Sequence, residues 1–204
     1  MPKLHLERFV TFAVWGTFVG AVFFCIYPTA NWLAELRGNP RFLFFAWELQ
    51  FPFVQEFIWV YLSLYLLFAL PPFFLSSVEL KRLAKKLITA TCLAGLVFLA
   101  FPARLGFPRI APPDSPYREI FLALFAIDKP FNVVPSLHVV YSTVIILAIA
   151  KRLGKAGNIV LFSWLALVLT STIMIRQHHL LDVFTGLALA LIMHFYWEGR
   201  TKHV

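Results

Sequence analysis

The sequence predicts an all-α polytopic membrane protein, a bundle of six transmembrane helices with short interfacial helices on its outer side. Three observations predict it. The 204 residues are 60% hydrophobic and only 14% charged, with a mean hydropathy of +0.79, and a soluble domain of this size carries far more charge on its surface. Phe57–Val78 and Ala156–Ile175 contain no acidic or basic side chain; at about twenty residues each, they are long enough to cross a hydrocarbon core of roughly 30 Å as helices. The basic residues cluster at alternate ends of the apolar runs instead of forming one patch.

Taken in order, the expected spans are Phe9–Tyr27, Phe57–Phe74, Leu87–Phe101, Val134–Ala150, Ile159–Ile175 and His179–Trp197. The first follows Lys3 and Arg8, as a signal peptide would, but its apolar run exceeds the usual length and is expected to stay as an anchor. Lys81, Arg82, Lys85 and Lys86 fall in the loop after the second span, and Lys151, Arg152 and Lys155 after the fourth. With Lys3, Arg8, Arg200 and Lys202, they place both termini and these two loops in the cytoplasm. The net charge of +8 is therefore a topology signal, and no nucleic-acid partner is expected. Cys25 and Cys92 sit in apolar spans at different depths and read as small packing residues, not a disulfide. Trp32, Trp47 and Trp197 near span ends read as interfacial anchors.

Two outer connections are long enough to carry structure. Asn31–Gln50 mixes aromatic and charged residues around Gly38-Asn39-Pro40 and is expected to form short helices in the interface. In Arg104–Phe131, a proline-rich stretch precedes Tyr117–Ile127, a second interfacial helix. There is no repeat or appended soluble domain, so residues 1–204 read as a single membrane-embedded domain; this compactness points to a bacterial inner membrane.

Polar residues are costly within a membrane and mark function. Here they converge. Arg104 ends the third span, Ser136 and His138 begin the fourth, Arg176 and Gln177 end the fifth, and His178 and Asp182 begin the sixth. All of these lie toward the outer face. His178 and Asp182, four residues apart, share one helix face; the carboxylate can take the Nδ1 proton and leave Nε2 as a nucleophile. A buried histidine satisfied by a buried acid has the same spacing. Ser136 follows Pro135 at a helix start, where its hydroxyl serves an N-terminal amide or a ligand, and where an anion is favoured.

Pro135-Ser136-Leu137-His138, together with His178-His179-Leu180-Leu181-Asp182 followed by Val183 and Gly186, resembles the type 2 phosphatidic acid phosphatase superfamily, the lipid phosphate phosphatases related to vanadium haloperoxidases. The resemblance is clear over residues 85–190, while the first two spans match by hydropathy. It implies a single phosphatase-like domain with six spans and a site at the outer interface. It implies that His178 attacks phosphorus, Asp182 orients it, and His138 protonates the leaving lipid oxygen and then activates water. Ser136 would bond a phosphoryl oxygen, and arginines would neutralise the others. No cofactor and no metal are implied, and the substrate partner is a membrane lipid phosphate.

The chain departs from the family in its cations. Arg104 follows Pro102 but Val97 stands where a lysine is usual, and Thr172 stands where the last motif carries an arginine. Arg176 is the expected replacement, with Arg109 and Lys129 as further candidates. Leu137 replaces a common glycine, which resembles the branch of inositol phosphotransferases and inositol phosphorylceramide synthases. Three functions therefore stand: a lipid phosphate or diphosphate phosphatase acting through phosphohistidine, a phosphotransferase passing the group to an alcohol or lipid, and a non-catalytic transporter or metal-binding protein using His138, His178, His179 and Asp182. His179 ranks second as nucleophile, lacking an acid four residues on. His194, His5 and His203 read as bystanders, and Gln55 and Glu56 as possible pocket residues.

Overall fold

The computed structural model describes residues 2–201, with side chains for residues 6–199. Lys202 and His203 lie outside the described residues, as do the side chains of Lys3, His5 and Arg200. The fold is all-helical, with no strand among the described residues. It runs α1 (Pro2–Arg37), a short 3-10 turn (Ala46–Gln50), α2 (Phe57–Leu62), α3 (Leu64–Ala69), α4 (Pro71–Phe74), α5 (Ser77–Ala100), α6 (Arg118–Ile127), α7 (Leu137–Ala150), α8 (Lys155–Met174) and α9 (Leu180–Thr201). Four helices have the length and apolarity to cross a membrane: Leu6–Arg37, Ser77–Ala100, Lys155–Met174 and Leu180–Gly199. Two further apolar helices, Phe57–Ala69 and Leu137–Ala150, are shorter.

Several boundaries differ from the sequence expectation, each for a local reason. Asn31–Arg37, expected as part of an interfacial element, continues α1 past Pro28. Ala30 and Ala34 are buried there, so packing carries the helix on to Gly38, whose φ of +68° ends it. The run Phe57–Phe74 is not one helix. Ser63 donates its hydroxyl to the Val60 carbonyl (2.6 Å) and accepts from Trp164 Nε1 (2.8 Å), and Pro71 starts a new turn. Helix α5 begins ten residues before the expected Leu87. Ser76 and Glu79 form a reciprocal capping box, with the Ser76 N–H donating to Glu79 Oε2 at 2.9 Å. Lys81, Arg82, Lys85 and Lys86 therefore ride on α5 instead of a loop, and Lys86 is buried against Glu198 at 3.4 Å.

Helix α7 is apolar around its circumference and buried along almost its whole length, as expected of a helix that neighbours surround. Its Val140, Val144, Ile145 and Ile146 form the middle of a core shared with α3, α5, α8 and α9. Inside that core, Thr91 Oγ1 and Tyr141 Oη satisfy each other at 2.6 Å. Helix α1 packs along α5, where Gly95 admits Ile26: a Cβ on Gly95 would lie 2.5 Å from Ile26 Cγ2. The long 101–136 connection folds over one end of the bundle. It is tied there by Arg41 N–H to the Pro102 carbonyl, Arg104 N–H to the Arg41 carbonyl and Leu105 N–H to the Pro130 carbonyl, at 2.8–2.9 Å. Cys25 and Cys92 are unpaired and exposed on the helix surface.

Candidate active site

Helices α7 and α9 start side by side at this covered end. Ser136 caps α7, its hydroxyl accepting from the Val139 N–H at 3.4 Å, while its own N–H donates to the Asp182 carbonyl at 3.1 Å. Gly186 lets the two backbones approach, because a Cβ there would lie 2.8 Å from the Ser136 carbonyl oxygen. Helix α9 starts on acidic groups, as a helix N-terminus favours. Asp182 Oδ2 accepts the His179 N–H at 2.8 Å, and Glu48 Oε2 accepts the Leu180 N–H at 2.7 Å. Glu48 and Asp182 are both fully buried.

This geometry brings His138, His178 and Asp182 together. His178 Nδ1 lies 3.1 Å from Asp182 Oδ2, His178 Nε2 lies 3.3 Å from His138 Nδ1, and His138 Nε2 lies 2.6 Å from the Tyr61 hydroxyl. The protons follow from the partners. An ionised carboxylate only accepts, so His178 carries its proton on Nδ1 and presents a lone pair at Nε2. His138 then donates from Nδ1, and its Nε2 accepts from Tyr61. The result is one directed chain: Tyr61 to His138 to His178 to Asp182.

His179 takes no part in it. Its ring is stacked between Phe44 and Phe107, both centroids at 4.4 Å. Its Nε2 accepts the Gly106 N–H at 3.0 Å, and its Nδ1 faces Glu48 Oε2 at 3.4 Å. It is a structural histidine, which removes it both as an alternative nucleophile and as a fourth ligand beside Asp182. His194 lies far along α9 from the pair, as a bystander would. Gln55 and Glu56 bond each other at 3.3 Å and line neither of the two cavities described next.

The histidines border a cavity of about 580 Å³, which Tyr27, Tyr61, Asp128 and Asn132 also line. The expected phosphate ligands are placed less simply. Arg109 and Arg176 line a separate cavity of about 120 Å³. Arg176 donates to the Phe51 carbonyl at 3.0 Å and lies over the rings of Phe53 and Phe107. Arg109 donates to Gln177 Oε1 at 3.2 Å and to the carbonyls of Phe125 and Asp128. Burial pushes the Arg109 guanidinium below its ordinary value, and the charge of Asp128 beside it acts in the opposite sense, as do Tyr27 and Tyr61. Arg109 is thus held against Asp128, which lines the histidine cavity. Arg104 is exposed over the Phe131 ring, and Lys129 is exposed and paired with Glu35 at 2.5 Å; among the described residues, neither bonds the histidines. Ser136 is wholly buried; its hydroxyl oxygen accepts the cap N–H and its own proton remains to be donated.

Sequence reasoning missed Tyr61, Tyr27, Asp128, Asn132 and Glu48. Tyr27 donates to Asp128 Oδ1 at 2.5 Å, and Asn132, at φ +58°, donates to the Tyr27 carbonyl at 3.0 Å. A tyrosine in an apolar run reads as an interfacial anchor, and nothing local in the sequence distinguishes these from the other aromatics.

A family model described as the PAP2 superfamily matches residues 34–196. That span takes in α2 through nearly all of α9, including both histidine motifs, and leaves most of α1 outside. No curated protein and no solved structure matches the chain.

Proposed function

The chain belongs to the PAP2 superfamily, and from that premise we propose that it is an integral membrane phosphatase of lipid phosphates or diphosphates, working through a phosphohistidine. Membership carries phosphatase-type chemistry; the substrate and the mechanism are our reading. The carrying observation is the Tyr61–His138–His178–Asp182 chain, which leaves one unprotonated imidazole nitrogen aimed at a second imidazole. In the reading, the phosphoryl group takes the place of the His138–His178 contact. His178 Nε2 bonds to phosphorus as the bond to the lipid oxygen breaks; His138, entering this step as imidazolium with its Nε2–H donated to the Tyr61 oxygen, gives the lipid oxygen its Nδ1 proton and is left neutral. Water then attacks phosphorus, His138 takes its proton, and the nitrogen–phosphorus bond breaks to release phosphate. A tyrosine hydroxyl both donates and accepts, so Tyr61 can stay bonded to His138 in either protonation state. Arg109 supplies positive charge at this end, and Arg176 and Arg104 are secondary. Six crossings, with the termini cytoplasmic and α6 in the outer interface, place the site where a head group is reached while its tails stay in the bilayer.

Phosphate release from lipid phosphates by the purified protein tests this. Release persists in chelator, is inhibited by vanadate, and falls by roughly a thousandfold or more in His178→Ala. Full activity in that variant overturns the reading.

One observation favours a second reading, transfer to an alcohol. The histidine cavity holds hydrogen-bond acceptors, the Asp128 carboxylate and an Asn132 Oδ1 with no protein partner. These suit the hydroxyls of an acceptor and not a phosphate dianion. A phosphorylated alcohol formed in place of free phosphate when polyols are added decides for transfer.

A further inference from the structure

The 580 Å³ cavity is much larger than a phosphoryl group requires, and it opens to the helix surface, where the lining residues Phe24, Tyr65 and Ile127 are exposed. Its polar lining is gathered at the histidine end, and the remainder is overwhelmingly apolar. One wall is a single face of α1, running from Tyr27 through Phe23, Gly20 and Gly16 to Phe12. At the rise of an α-helix that face extends about 22 Å. Half of a hydrocarbon core is about 15 Å, so the cavity runs deeper than one leaflet.

Gly16 and Gly20 say what the space is for. Glycine weakens a helix interior relative to alanine, and two glycines four apart in a membrane helix ordinarily serve close approach of a second helix. No such approach occurs here. A Cβ on either residue would meet nothing within 4 Å, whereas at Gly95 the same test finds Ile26 in direct contact. Both glycines line this space together with Leu83 and Ala84 of α5; Gly16 is exposed and Gly20 half-buried, so they widen a groove that opens along the surface of α1. At the far end, the buried Asn132 Oδ1 without a protein partner lines the same cavity, marking it as a place where a ligand's polar group is accommodated.

We infer that one long apolar chain of the lipid substrate lies in this groove along α1, with its phosphate end at His138 and His178, and that Gly16 and Gly20 set the length accepted. This rests on the phosphatase reading and deepens it. A chain moving from bilayer to an apolar cavity exchanges one hydrocarbon setting for another, so the cavity acts through fit and selects chains by length. A straight acyl chain and an isoprenyl chain share this chemistry.

The test compares wild type with Gly16→Phe and Gly20→Phe on two series of phosphates, alkyl and isoprenyl, each from short to long. The readout is the ratio of long-chain to short-chain kcat/KM. Wild type favours long chains in one or both series, the preferred series naming the chain type, and each variant lowers the ratio by about tenfold or more. Unchanged ratios in variants that still turn over short chains overturn the inference and leave the phosphatase reading standing. Absence of phosphate release from every substrate by wild type overturns that reading instead. A second measurement needs no substitution: a long-chain alkyl phosphate with a terminal diazirine is photolysed with wild-type protein and the adducts are mapped. Adducts on Phe12–Val19 and near Leu83 support the inference, and adducts confined to outward-facing residues such as Leu167 and Phe184 overturn it.

Discussion

Each nitrogen of His138 and His178 has a neighbour that decides its proton, and Tyr61 is the neighbour that closes the chain. Tyr61 is buried, and its hydroxyl lies 2.6 Å from His138 Nε2. Tyr61→Phe keeps the ring and removes only this bond. The expected cost is about 1 kcal/mol in stability, with kcat lowered roughly tenfold and KM little changed because His138 loses its orientation. Parallel thermal melts and steady-state assays check it, and an unaltered kcat removes Tyr61 from the site. Arg176 makes a different case. Its φ of +58° is a conformation that glycine adopts freely and arginine does not. It closes α8, with the Gln177 and His178 N–H groups both donating to the Thr172 carbonyl at 2.8 and 3.0 Å. Arg176→Gly relieves the backbone and removes the cation. The backbone gain is offset by losing the bond to the Phe51 carbonyl and the packing on Phe53 and Phe107, so the expected result is stability within about 1 kcal/mol of wild type, with activity reduced about tenfold. Chemical denaturation and phosphate-release assays on the same preparation separate the two effects.

Elements, more than single side chains, hold the histidines together. Helix α7 supplies His138 and the turn leading into α9 supplies His178, and the separation of the two helices is set where Gly186 passes the Ser136 carbonyl and Val139. Gly186→Ala puts a methyl group into backbone oxygen at 2.8 Å, where no flexible side chain can yield. Overpacking of this kind costs about 1–3 kcal/mol, and it pushes the α7 start away from α9, so activity falls further than stability. Melting temperature and turnover, measured together, test that ordering. The start of α9 is built likewise from afar: Glu48, on the 3-10 turn, accepts the Leu180 N–H across 132 residues of sequence. A buried carboxylate there is tolerated because it accepts two backbone N–H groups, those of Phe45 and Leu180.

At the scale of the whole molecule, six crossings require the α6 connection and the α7–α8 turn to lie on opposite sides of the membrane. Asp114 and Gly154 are exposed in these two connections. Single cysteines at each, with Cys25 and Cys92 replaced by alanine, report the sidedness in intact cells. Asp114→Cys is expected to react with an impermeant maleimide from outside, and Gly154→Cys only after permeabilisation. Reaction of both from one side defeats the six-crossing topology. Four helices satisfy length and apolarity outright. The two shorter ones include α7, which neighbouring helices enclose.

By itself the sequence determined the all-helical, apolar character of the chain, its family, and the pairing of His178 with Asp182. Hydropathy and i, i+4 spacing are local properties, written in consecutive residues. It also indicated that His138 and His178 share one end of the bundle, because alternating spans and charges order the helix ends. Only the tertiary structure decided which side chains surround that pair. Tyr61 reaches His138 over 77 residues and Tyr27 reaches Asp128 over 101, while Arg104 and Lys129, which sequence offered as phosphate ligands, rest on Phe131 and Glu35. Such neighbours are chosen by helix packing, and packing depends on the shapes of several faces at once, which no single stretch of sequence contains.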